Sequence, residues 1–130
     1  MESISNYLDF IKLKGRPVLE VNPGSDEIAL TVEDALHGLE LLKISHTEIF
    51  GGDVYSEDNG LLIYAYQLWG AKYHYLNWYC DRMDNEREDD YLKRSYEIAS
   101  EGISNASKTA EQLKKKCFFV LVTGWIYSAQ

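Results

Sequence analysis

Three histidines, His37, His46 and His74, are the residues of this sequence best suited to acid–base chemistry or metal ligation, yet none lies at a spacing that such chemistry uses. No His-x-x-x-His or His-Glu-x-x-His pattern occurs, and Cys80 and Cys117 stand apart without a Cys-x-x-Cys partner. Neither a zinc site nor a disulfide scaffold is signalled, and two buried thiols in a reducing compartment are the expectation. A triad is recognised by geometry and not by sequence order, so a small hydrolase-like site using His46 or His74 with Asp53 stays open. Gly51-Gly52 lacks the lysine-bearing pattern of a phosphate loop. Glu57-Asp58 and Asp89-Asp90 are adjacent carboxylates, which side-chain periodicity points in different directions, so they read as solvated charge. The Asp84–Asp90 run has no turn glycine to shape a calcium loop. No cofactor and no metal is expected.

Aromatic side chains are more telling. Among ten tyrosines, three tryptophans and four phenylalanines, Tyr64, Tyr66, Trp69, Tyr73, Tyr75, Trp78 and Tyr79 crowd into one short stretch, too many for all to be core. Tyrosine and tryptophan dominate interface hot spots because they offer large contact area with few rotors to freeze. A sugar-binding module built on the same cluster is an alternative.

Charge narrows the partner. The net charge of -8 is carried between Asp26 and Asp58, where nine acids face one base, Lys43, while the remaining residues balance. Such a field repels nucleic acid and anionic membrane and steers basic partners inward. At 130 residues, with 45% apolar and 26% charged composition, the chain has the proportions of one globular domain, 1–130, and not of a disordered or membrane-spanning segment. The opening residues carry no basic stretch followed by an apolar run, so no secretory leader is expected and the chain is placed in the cytoplasm.

The elements that must position these groups follow from local signals. Residues 4–21 are ambiguous, and Asn22-Pro23-Gly24-Ser25 is a turn. Thr31 caps a helix with Asp34 three residues on, and Val32, Ala35, Leu36, Leu39 and Leu42 form its buried stripe. Thr47–Phe50 reads as a strand entering a bend or bulge at Gly51-Gly52. A hairpin then runs from about Val54 to Trp69 around Asn59-Gly60, and the alternation of Lys72–Tyr79 predicts a further strand with Tyr73 and Tyr75 on one face. Leu92, Tyr96, Ala99, Ile103, Ala106 and Ala110 define a long second helix, weakened near Gly102. Cys117–Val122 predicts a central buried strand. The sum is an α+β fold, with two helices on one face of a mostly antiparallel four- or five-stranded sheet.

In that order the chain resembles an immunity-protein family of bacterial polymorphic toxin and contact-dependent growth inhibition systems. The resemblance is carried by Asp34-Ala35-Leu36, Ile49-Phe50-Gly51-Gly52-Asp53-Val54-Tyr55, Asn77-Trp78-Tyr79-Cys80 and Tyr91-Leu92-Lys93-Arg94-Ser95 with Ala99, and runs from about Ile28 to Val122. It implies a cytoplasmic, non-catalytic antitoxin that binds the C-terminal domain of a cognate toxin, as a monomer or weak homo-oligomer. Many such toxins are nucleases with basic active sites, so an acidic surface suits the role. Candidate partner-binding residues are Glu48, Asp53, Tyr55, Glu57, Asp58, Tyr73, Tyr75 and Trp78. For Asp53 and Trp78 a structural role competes, as a cap for bend amides and as a core filler.

Overall fold

A computed structural model describes residues 4–19 and 21–124. The first three residues, on which part of the no-leader expectation rests, lie outside them.

The ambiguous N-terminal stretch resolves into helix α1, Ser5–Lys14, which buries Tyr7, and a two-residue strand β1, Arg16–Pro17. The expected turn forms: Ser25 N–H donates to the Asn22 carbonyl at 3.1 Å, with Gly24 at φ +90° in the position where a Cβ would be strained. Strand β2, Ile28–Thr31, then runs into helix α2, Val32–Ile44, whose Thr31 hydroxyl accepts from Asp34 N–H at 3.2 Å. Ala35, Leu39 and Leu42 are buried as expected, but Leu36 is 43% exposed. The stripe instead passes through Gly38, whose bare Cα admits the Tyr7 ring of α1, and this leaves Leu36 on the stripe's solvent border.

Strand β3, Ile49–Asp58, continues through Gly51-Gly52, and the expected irregularity is a register shift against β6, Phe118–Thr123, between Ile49 and Gly51. It joins β4, Leu61–Tyr64, through Asn59 and Gly60 at φ +53° and +84°, the left-handed pair that a two-residue hairpin turn needs. The hairpin is shorter than its composition predicts. Ala65–Trp69 is a helix, α3, and Ala71–Leu76 is a 3₁₀ helix, so only Trp78–Tyr79 extends, as β5. The reason is topological. β4 uses the edge of β3 from Tyr55 to Asp58, and β5 uses the same edge at Gly51 and Gly52, so the chain must fold back between them instead of continuing as strand. With three residues per turn, the 3₁₀ segment directs Leu76 and partly Tyr73 inward and leaves Tyr75 70% exposed; the two tyrosines do not share a face.

Helix α4, Glu88–Leu113, is unbroken through Gly102 and buries Leu92, Ala99, Ile103, Ala106 and Ala110, with Tyr96 half-buried. Strand β6, Phe118–Thr123, is central as expected. The α+β expectation holds, with six strands in place of four or five in the order β1-β2-β6-β3-β4, β5 extending the β3 edge, and every pairing antiparallel. Leu30, Val54, Phe119 and Leu121 point to one face and pack with α1, α2 and α4. Ala29, Tyr55, Leu62 and Val120 point to the other, which Val18 and Val21 cover in part.

Trp78 joins these layers. A Cβ on Gly52 of β3 would sit 2.3 Å from its indole, and one on Gly102 of α4 2.5 Å, so the ring lies in a slot between two bare backbones. Gly102→Ala is expected to lower stability despite a helix-propensity gain of about 1 kcal/mol, because overpacking a locked ring costs about 1–3 kcal/mol. In a Trp78→Ala background the same substitution becomes stabilising. Urea unfolding of the double-mutant cycle measures this, and a stabilising Gly102→Ala in the intact chain would refute the slot.

Candidate functional site

The segments that carry the family resemblance converge on one another. Asn77 Oδ1 accepts from Val54 N–H at 2.8 Å, and Cys80 N–H donates to the Phe50 carbonyl at 2.8 Å, so Asn77–Cys80 is stitched to Phe50–Val54 from both ends. Helix α4 locks the pair: the Tyr91 hydroxyl donates to the Cys80 carbonyl at 2.6 Å, and Arg94 donates to the Asp81 carbonyl at 2.6 Å while gripping Glu86. That grip holds the Glu86 carboxyl down to about 2. The Ser95 hydroxyl accepts from Ile49 N–H at 3.3 Å and donates to the Leu92 carbonyl at 2.9 Å. These motifs therefore build the scaffold, and a contact surface must lie among the side chains they leave outward.

The candidate residues separate accordingly. Tyr55 is 1% exposed, stacked on Tyr64 with centroids 4.9 Å apart, and presents no surface. Trp78 fills its slot, and its indole N–H has no partner among the described residues, so the ring is held by shape. Tyr73 packs edge-on against Trp69. Glu57 is clamped by Arg16 and Lys116, both of which lower its carboxyl below the usual range, so its charge is already answered within the chain. Asp58 is exposed at the hairpin tip, and Glu48 sits at the entry to β3, where its carbonyl accepts from Gly124 N–H at 3.2 Å.

Asp53 is different. It projects from the middle of β3 on the face away from the helices, opposite Val120, half-buried and without an ion pair among the described residues. Burial raises its carboxyl above the ordinary range, and His74 partly counters the shift. Glu27, at the threshold of β2, is close enough to feel the Asp53 charge, and burial, Asp53 and Asp26 all raise it against the opposing Ser25 hydroxyl. A file of rings flanks the pair: Tyr64 stacks on Tyr66 at 5.7 Å, and Tyr66 meets His74 edge-on at 4.7 Å. Tyr79, paired with Gly51 on the same face, is 73% exposed. Glu27, Tyr66 and Tyr79 were not among the sequence candidates. Glu27 belonged to the acidic run, but only the pairing of β2, β6 and β3 brings it beside Asp53.

His74 thus neighbours Asp53, whereas His46 lies on the helix side of the sheet, lining a groove of about 740 Å³ between α2 and α4 with Tyr96, Glu97 and Ser100. A second groove of about 290 Å³ runs between α1, Asp26–Ile28 and β6. Among the described residues no three His, Cys, Asp or Glu side chains gather as a metal site, and no helix is long and apolar enough to cross a membrane.

An α+β scaffold whose resemblance-bearing motifs build its frame, leaving an acidic and aromatic sheet face outward, suits a binding protein. A sequence-family model described as Immunity protein 40 matches residues 17–123, most of the chain. The chain belongs to the Immunity protein 40 family. No curated protein and no solved structure matches it significantly.

The raised carboxyls carry a cost. A carboxyl whose folded value lies above its unfolded one binds more protons when folded, so stability falls as pH rises through the folded value. Asp53→Asn and Glu27→Gln are expected to raise the melting temperature at pH 7, with the gain fading below the ordinary carboxylate range near pH 4. Thermal melts across that window check this, and a gain that persists at pH 3 contradicts it.

Proposed function

We propose that this chain is an antitoxin-type immunity protein that neutralises a cognate bacterial toxin domain in the cytoplasm by occlusion and without catalysis, through the outward sheet face around Asp53 and Glu27. One observation carries the choice of surface. These two carboxylates are desolvated, mutually repelling and without an ion pair among the described residues, His74 only partly offsetting the shift at Asp53, while Glu57 and Glu86 are paired internally. Groups that destabilise a fold are retained where function uses them. A toxin that handles phosphate offers the complementary basic surface, which makes a nuclease the best-fitting partner. Tyr66, Tyr79 and Tyr75 supply apolar contact area beside the charge, and Asp58 and Glu48 contribute at the periphery. Family membership favours inhibition over the alternative acid–base pair of His74 and Asp53.

Co-expression with the toxin domain encoded beside this chain is expected to restore growth. Asp53→Asn combined with Glu27→Gln is expected to weaken the complex by roughly tenfold or more and to flatten its salt dependence, chiefly through the on-rate. Asp58→Asn changes affinity by less than about threefold, as rim charges do. Stopped-flow association at several ionic strengths measures both; rescue with an unaltered salt slope in the double variant would move the surface elsewhere.

A further inference from the structure

The groove beside β6 has an unusual floor. Strand β6 pairs with β3 from Thr123 back to Phe118, but with β2 only at Leu30–Phe119 and Thr31–Phe118. On its other edge β2 pairs with β1, through Ala29–Arg16 and Ile28–Pro17. The direction of the backbone groups follows from one hydrogen bond. Val18 N–H donates to the Glu27 carbonyl at 3.2 Å, on the β1 side, so by alternation Ala29 also faces β1 while Ile28 and Leu30 face β6. Leu30 and Phe119 are then the hydrogen-bonded pair, and Leu121 and Thr123 turn their N–H and C=O groups toward β2, where the ladder has ended. Both residues are only 7% exposed, and the space they face is the groove of about 290 Å³. Backbone groups at such depth find partners in native proteins, and an unpaired strand edge is a template for another strand.

The walls of the groove specify what fits. Leu8 and Ile11 of α1 and Ile28 give an apolar side, and Asp26 and Glu27 form an acidic lip with Lys12 opposite. We propose that this groove receives an extended segment of the partner toxin, added as a strand to the edge of β6 that no described residue pairs, apolar toward α1 and bearing lysine or arginine at the Asp26–Glu27 lip. The charge balance of the lip selects this occupant: two carboxylates face one lysine, and Glu27 is already crowded by Asp53 and Asp26. Four residues of edge, Val120 to Thr123, span roughly 13 Å, enough for a short strand held by main-chain bonds, with the side-chain pockets supplying selectivity. The proposal rests on the immunity reading and adds to it a main-chain mode of recognition.

Amide hydrogen exchange of the full chain, free and in complex with the toxin domain encoded beside it, tests the proposal. Leu121 and Thr123 amides are expected to slow by roughly tenfold or more on complex formation, while the Met83–Glu86 turn is unchanged. Reversing the lip with Asp26→Lys is expected to weaken the complex by about tenfold, and Asp9→Lys on the exposed part of α1 by less than about threefold. If the toxin is bound and neutralised with unaltered exchange at Leu121 and Thr123, strand addition is wrong and the immunity reading stands. If no complex forms, both fail. Protection of the same amides in the free chain together with dimers in sedimentation assigns the edge to a second copy and overturns the proposal.

Discussion

The indole of Trp78 occupies a slot that exists only because neither Gly52 on β3 nor Gly102 on α4 carries a Cβ. From that contact the rest of the architecture follows. The ring fixes the distance and register between the sheet and its longest helix, and it seats β5 against the β3 edge. With β5 seated, Asn77 and Cys80 reach the Val54 amide and the Phe50 carbonyl, and Tyr91 and Arg94 then find the Cys80 and Asp81 carbonyls. A glycine inside a helix costs about 1 kcal/mol against alanine; here that local weakness is offset by burying an indole between two layers.

The same geometry sorts the acids into two kinds. Glu86 anchors Arg94, and Glu57 is held by Arg16 and Lys116, so these charges are absorbed by the fold. Asp53 and Glu27 are not. Their carboxyls are raised by burial while surrounded by apolar strand residues and aromatic rings. A net charge of -8 therefore overstates the uniformity of the surface: what matters for recognition is which carboxylates lack an internal partner.

What was legible in the sequence is what depends on neighbours in the chain. Thr31 with Asp34, the Asn59-Gly60 turn, the α4 seam from Leu92 to Ala110 and the apolar run of β6 all announce themselves through spacing of a few residues. The aromatic stretch from Ala65 to Tyr79 misled because its β propensity was overridden by the need to bring β5 back to an edge that β4 had only half used. Gly102 read as a weak point for the same reason: its purpose is a ring 24 positions earlier in the chain. Among the site residues, Asp53 was visible from its Gly-Gly context. The neutralisation of Glu57 by Arg16 and Lys116, 41 and 59 residues away, was not, nor was the approach of Glu27 to Asp53.

Glu27 also connects two features that otherwise look separate. Its carbonyl secures the β1 side through Val18 N–H, its amide is held by the Ser25 hydroxyl at 3.1 Å, the residue lines the β6 groove, and its carboxyl feels Asp53. The backbone is thereby fixed while the carboxylate, touched by the Ser25 hydroxyl at 3.4 Å, has no ion pair among the described residues, the arrangement that preorganises a charge for a partner at little entropic cost. The pairing of β2 with β6 stops at Leu30 among the described residues, three positions after Glu27, so the acid lies beside the stretch of β6 that this pairing leaves. Charge and unpaired edge meet at Glu27, which lines the groove and lies close enough to Asp53 to be raised by it.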